Sequence, residues 1–281
     1  RDKNQKSLIF GATEADLTTW SFTPRYTLDA AGQRFVTGFD AYRSRLATRA
    51  DFVGASNTSD THRDSLGVYL TDRIEIGKGF GVNLGARRQA VLLDMTNTDL
   101  LGGTVTGAKQ EDWRNAWDAS LSWQNAQTRA YLRAAESFRF PVLDEMWNYF
   151  FGNITLLRPQ TGQHAELGLQ HAWGALRVQA DAFHIRMKDE IAFNSVLYSN
   201  VNLDPTQHDG INLSARYGFD RRSFVRLGYT YREARFRAGA FDGNSVPEIP
   251  HHNLSLTLLW QLHERHQLGL QGTAVKVTDR G

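Results

Sequence analysis

Cysteine is absent from the sequence, which excludes a disulfide framework, a thiolate metal site and a cysteine nucleophile. Long apolar runs are absent too, and none approaches the roughly 18 residues of a membrane helix. A helical membrane protein is therefore excluded, whereas a barrel is not, because only alternate residues of a barrel strand face lipid. Neither sign of charge dominates: 32 Lys and Arg stand against 30 Asp and Glu, spread along the chain for a net +2, so no electrostatic case exists for a nucleic-acid partner. No Gly-rich phosphate loop, nucleophile elbow or zinc helix is present. Acidic residues occur singly, with no pair assignable to acid and base. His263 and His266 lack the spacing of two helix-borne ligands and read as a solvated hairpin turn, and His251 and His252 after Pro250 read as a loop-to-strand junction. No catalytic residue, metal ligand or cofactor is expected, and the chain does not read as an enzyme. It opens at Arg1 without an initiator Met or a signal-peptide core, and is expected to be a piece of a longer chain.

What is present is alternation at period two. Trp113, Trp117, Ala119, Leu121 and Trp123 fall on one parity, and Arg114, Asp118, Ser120 and Ser122 on the other. After a polar turn at Gln124 to Gln127, Ala130, Leu132 and Ala134 repeat the apolar parity opposite Arg129 and Arg133, with Tyr131 as a mixed position. Tryptophans near both ends of an apolar band suit a strand crossing a bilayer, because the amphipathic indole settles at the headgroup level. A soluble β-sandwich strand alternates as well, so the hairpin alone leaves both readings open.

The same pattern recurs along the chain. Trp20 to Leu28, Phe35 to Ala41, Leu66 to Leu70, Phe80 to Gln89, Ala165 to Leu169, Leu176 to Ala182, Ile211 to Tyr217, Val225 to Tyr231, Leu254 to Trp260 and Leu268 to Ala274 read as further strands. About twelve antiparallel strands are expected. Pro24 lacks a ladder donor and is expected at an edge, a strand start or a bulge. Short turns alternate with long polar connections at Arg49 to Thr61, Asp94 to Gln110, Arg139 to Gln160, Asn194 to Gln207 and Arg237 to Pro250. Outer-membrane barrels sort their connections in this way, with short periplasmic turns on one rim and long extracellular loops on the other. The expected fold is thus all-β, a transmembrane antiparallel β-barrel, with the first strand running towards the periplasm. The polar parity carries Arg87, Arg114, Arg177, Arg216 and Arg226 with few Lys, which suits a wet lumen or one packed against a polar plug.

From Ser137 onward the chain resembles the TonB-dependent outer-membrane receptors. The residues that carry the resemblance are Ser137, Phe138, Arg139, Phe140 and Pro141 followed by Leu143, Asp144 and Glu145. They continue with Gly152 and Asn153, Leu157 to Gln160, Glu166 to Gly168, Phe183 to Ile191, and Pro247, Pro250 and His251. Val68 to Asp72 and Asn83 to Arg87 resemble an earlier hairpin of the family. Gln160 stands where the family usually has Glu. The resemblance implies a part, residues 1–281, of a 22-stranded barrel with a plugged lumen, the plug and about ten strands lying outside this sequence. It also implies a place in the outer membrane of a Gram-negative bacterium, with outer-membrane lipid, the receptor's own plug and the TonB-ExbB-ExbD system as partners. The implied function is capture of a scarce nutrient complex, a ferric siderophore first, with cobalamin, haem or other metal or carbohydrate complexes as alternatives. A passive porin-like channel or a structural barrel is the alternative class.

Within the loop after Phe138, Trp147, Tyr149, Phe150 and Phe151 place four rings in five residues. A short helix packing the loop onto the barrel rim accounts for them; so does an external ligand pocket, since rings offer large contact area at small entropic cost.

Overall fold

Period-two alternation becomes strand along almost the whole chain. The computed structural model describes residues 2–8, 11–148 and 151–277. Its elements are β1 (Asp2–Leu8), β2 (Gly11–Phe22), β3 (Arg25–Ala30), β4 (Gln33–Phe52), β5 (Ala55–Gly77), β6 (Phe80–Asp99), β7 (Val105–Gln124) and β8 (Thr128–Arg139). They continue as β9 (Gln160–Trp173), β10 (Leu176–Lys188), β11 (Ile191–Asn194), β12 (Ser199–Asn202), β13 (Thr206–Gly218), β14 (Phe224–Phe236), β15 (Pro250–His263) and β16 (His266–Val277). Among the described residues there is no helix. Fourteen strands form one sheet in chain order, every pairing antiparallel, while β11 and β12 make a separate hairpin. β2 and β3 both lie on β4 and run on as one, and β1 pairs only with Gly11–Leu17 of β2, short of the apolar alternation, so among the described residues twelve strands carry that alternation, the number the sequence pattern suggests.

Pro24 stands in the break just before β3, whose one partner among the described residues is β4, so it lies at an edge and next to a strand start, as expected, and not at a bulge: Phe22 pairs with Ala41 and Arg25 with Gly38 in one register. The proline accepts from Phe39 N at 3.3 Å but has no N–H to return the bond.

The register separates two faces across the whole sheet. Leu70, Ala86 and Trp117 are directly opposite one another, as are Leu121 and Leu132, then Leu132 and Leu167. This outer face exposes Leu66, Val68, Leu84, Leu121, Leu132, Leu169, Leu213 and Leu256 as a continuous apolar band. Exposed Trp20 and Trp113 edge it on one side, and Phe80, Trp173, Tyr217 and Trp260 on the other. Trp113 to Trp123 is eleven residues, which matches the roughly 9–11 that a tilted strand needs to cross a bilayer. The sheet is the wall of a transmembrane barrel, and it does not close on itself.

The short turns at Ala31–Gly32, Lys78–Gly79, Asn125–Gln127, Gly174–Ala175, Phe219–Ser223 and Glu264–Arg265 share one rim. On the other rim two expected long loops are overturned. Arg49 to Thr61 is strand on both sides of the two-residue turn Val53–Gly54, and Asp94 to Gln110 is reduced to Leu100–Thr104. Beyond the apolar band the outer face turns polar as well, so the alternation fades although the ladder continues. There β5 reaches 23 residues, about twice a membrane crossing. Ion pairs across the ladder face outwards in this extension, Arg43 to Asp64 at 2.8 Å, Arg45 to Asp60 at 2.5 Å and Lys109 to Asp94 at 2.8 Å.

Candidate functional site on the inner wall

The longest connection, between β8 and β9, folds inwards over the inner face of the extended strands. Its first residues are set by the stretch resembling the family pattern. Arg139 Nη1 donates to both Glu145 oxygens at 2.9 and 3.0 Å, and the same carboxylate accepts from Val142 N at 2.9 Å. Leu143 to Met146 therefore wind as turns, and a helix around Met146 is not formed. Trp147 bridges to Ile154 as a two-residue ladder. Between them Gly152 has φ +60, and a Cβ there would overlap the Asn57 side chain, with Asn57 Cγ at 2.7 Å. A left-handed backbone pressed against a neighbouring strand admits glycine only.

Trp147 is 5% exposed and packs with Met146 and Leu157 on Ala50, Leu93 and Met95 of the wall. Its indole Nε1 donates to Asn97 Oδ1 at 2.9 Å, and Asn97 Nδ2 donates to Gly152 O. Gln110 Nε2 donates to Leu157 O at 2.9 Å, and Arg63 Nη1 to Pro141 O at 3.1 Å. Each wall group satisfies a carbonyl or a ring that would otherwise be buried without a partner. Phe151 is 68% exposed, and Tyr149 and Phe150 lie outside the described residues. The aromatic cluster is thus divided: Trp147 anchors the loop while Phe151 stands in solvent.

A second segment closes over the first. Asn148 Nδ2 donates to Tyr198 O at 2.8 Å, and Asn200 Nδ2 to Glu145 O at 2.9 Å, tying the β11–β12 hairpin to the loop. Arg158 Nη2 meets Asp189 at 2.6 Å, and Asn202 Nδ2 donates to Arg158 O at 2.9 Å. Between this double layer and the walls of β2, β4, β5 and β6 lies a cavity of about 1070 Å³. Tyr42, Ser44, Ser65, Gln89, Arg63 and the edge of Trp147 face it from the wall and loop, and Phe193 and Tyr198 from the hairpin. Hydroxyls, the amides of Gln89, Asn148 and Asn200, the Arg63 cation, the Asp144 and Glu145 carboxylates and several rings give a surface suited to a large ligand of mixed polarity. Among the described residues no three His, Asp or Glu side chains come together in a group that could hold a metal ion.

The five arginines of the polar parity all lie on the inner face, opposite the apolar band. Arg87 Nη1 meets Asp40 at 2.6 Å and its guanidinium lies 5.8 Å from the Tyr69 ring centre. Arg114 donates to Trp113 O at 2.8 Å and sits 3.6 Å from Asp112. Arg177, Arg216 and Arg226 are directly opposite one another on three adjacent strands. Sequence reasoning missed the hydroxyls and Gln89 that face the cavity, because such residues on an inner parity carry no signal until a loop is seen to cover them.

An open antiparallel wall with an apolar outer band, a polar inner face and a loop folded inwards defines the chain as part of an outer-membrane-type β-barrel. Residues 2–280 match the family described as TonB dependent receptor-like, beta-barrel, and the chain belongs to that family. No curated protein matches it. Among solved structures it resembles the ferric yersiniabactin uptake receptor FyuA from Yersinia pestis, with a TM-score of 0.72 and 16% identity over 96% of this chain and 44% of that one. The alcaligin outer membrane receptor FauA from Bordetella pertussis gives 0.70 and 15% over 99% and 49%. The copper transporter OprC gives 0.70 and 15% over 89% and 42%. At such identities the likeness is one of fold. The chain spans less than half the length of these structures.

Proposed function

We propose that this chain is the loop-bearing part of an outer-membrane receptor of a Gram-negative bacterium that takes up a scarce nutrient complex, a ferric siderophore, at the long-loop rim. In this reading the outer band meets lipid, a plug fills the lumen, and the TonB-ExbB-ExbD system supplies the energy. The observation that supports it is the cavity of about 1070 Å³ under the inward loop, near the upper end of what a small-molecule pocket usually encloses. Tyr42 and Tyr198 offer rings, and Arg63 offers a cation without a carboxylate partner among the described residues. Together these suit an organic chelate carrying both aromatic and anionic groups.

The test uses the full-length receptor in cells starved of iron. Growth on a ferric siderophore is expected, and it should disappear when TonB is deleted. Uptake that persists without TonB would make the protein a passive channel and reject the proposal. Tyr42→Ala is expected to weaken chelate binding by more than about 1 kcal/mol while leaving outer-membrane abundance unchanged. Trp147→Ala is expected to increase protease cleavage of the 140–159 loop, because it removes a buried anchor.

A further inference from the structure

One hydroxyl on the wall of the large cavity has the direction of its hydrogen bond fixed from behind. Thr19 and Ser44 face the same space, but the 3.0 Å bond between them can run either way. Ser65 is 8% exposed at the cavity wall, and its Oγ lies 2.7 Å from Gln89 Nε2. On the far side of that amide, Arg87 Nε and Nη2 approach Gln89 Oε1 at 3.1 and 2.9 Å. A guanidinium only donates, so the amide must turn its oxygen to Arg87 and its nitrogen to Ser65. Ser65 Oγ therefore accepts, and its own proton is left over. None of the described residues takes that proton.

Arg87 is itself held in place. Its Nη1 meets Asp40 at 2.6 Å, and a Cβ on Gly67 would lie 2.7 Å from its Nη2, so glycine keeps the room the guanidinium occupies. Arg63 stands one inner-face step from Ser65 on β5 and lines the same cavity. One of its N–H groups goes to Pro141 O at 3.1 Å, and its guanidinium lies 5.7 Å from the Phe140 ring centre with no carboxylate paired to it among the described residues. Of the two carboxylates lining the cavity, Glu145 is already bound by Arg139 and Val142 N, and Asp144 is exposed on the loop.

We propose that Ser65 and Arg63 form an oxyanion subsite, donating together to one anionic oxygen group of the bound chelate, with Arg87 and Gln89 as the positioning residues that set the direction of the Ser65 bond. This rests on reading the cavity as the chelate site. Selectivity follows from the fixed polarity: a ligand group that itself donates would meet two donors and leave them unpaired on burial. A charged oxygen satisfies both, and charge-assisted bonds are the stronger kind.

The experiment titrates the full-length receptor with an anionic ferric tris-catecholate and a neutral ferric tris-hydroxamate, read by quenching of intrinsic fluorescence. The wild type should bind the tris-catecholate more tightly. Ser65→Ala should weaken tris-catecholate binding about tenfold and tris-hydroxamate binding by less than about twofold, as expected for loss of a donor to a charged group. Gln89→Glu tests the direction, since a carboxylate still accepts from Arg87 but also takes the Ser65 proton. It should weaken tris-catecholate binding about as much as Ser65→Ala, and its effect should largely vanish in the Ser65→Ala background. An equal loss in both backgrounds reflects added charge alone and overturns the positioning role. Equal weakening of both chelates by Ser65→Ala, or a wild-type preference for the neutral one, overturns the subsite. The two readings fail separately: binding of neither chelate removes the chelate site and the subsite with it, whereas tight binding indifferent to Ser65→Ala removes the subsite alone.

Discussion

Glycine beneath an aromatic ring is the smallest unit that shapes the inner wall. Gly38 is directly opposite Tyr69, Gly168 opposite Tyr131, and Gly210 opposite Phe183. A Cβ on Gly38 would lie 2.6 Å from the Tyr69 hydroxyl, and one on Gly210 would lie 2.5 Å from Phe183 Cζ. At Gly168 a methyl would overlap the Tyr131 ring and come within 2.5 Å of Asp181 Oδ1. Tyr131 reaches across that glycine to set its hydroxyl between Asp181, at 2.8 Å, and Glu166, with one proton to share between the two carboxylates. Gly168→Ala is therefore expected to destabilise the full-length receptor in urea by about 1–3 kcal/mol through overpacking. Adding Tyr131→Ala should remove most of that penalty, and additive effects in the double-mutant cycle would reject the contact as its cause. The sequence shows Tyr131 only as a position out of step with its apolar neighbours; the missing information was the ladder partner, which no local pattern supplies.

At the scale of the strand, the two faces were legible and the strand ends were not. Leu84 and Leu121 alternate cleanly with polar neighbours, and both stand 47% exposed on the outer band. Ser120 faces inwards and accepts from Asn83 Nδ2 at 3.1 Å. Arginine at Leu84 or Leu121 should cost roughly 2–4 kcal/mol in lipid if near the midplane, and arginine at Ser120 far less, as measured by refolding into bilayers. Residues 49–61 misled because a ladder in water needs no apolar face. The inward fold of the 140–159 loop was likewise hidden, since the Asn97, Gln110 and Arg63 groups that hold it are far away in sequence. Above the membrane band, Glu190 supports the hairpin that covers the cavity. Burial raises its carboxyl pKa, but hydrogen bonds from His208 and Thr206, together with nearby positive charge, outweigh that and hold it below the ordinary range. A depressed carboxyl stabilises fully above the unfolded value, about 4.3, and the contribution is lost as pH falls through the folded value. Hydrogen exchange in residues 189–205 should thus accelerate on acidification below that range beyond the intrinsic trend, and Glu190→Gln should flatten the excess.

At the scale of the whole molecule, the wall has two open edges at β1 and β16. Unpaired backbone groups cannot remain in hydrocarbon, so residues 1–281 produced alone are expected to associate or stay unfolded in lipid. A stable inserted monomer, seen by its resistance to detergent on gels, would contradict this. The wall is also much taller than the bilayer where β4 and β5 meet. Their last turn is only Val53–Gly54, with Val53 90% exposed and open space around the position of a Gly54 side chain. A paired stem that stands in water by its own ladder isolates its tip from the lipid-embedded register below. A short foreign peptide spliced between Val53 and Gly54 would then be carried clear of the cell surface, and an antibody against it would stain intact cells without loss of barrel assembly.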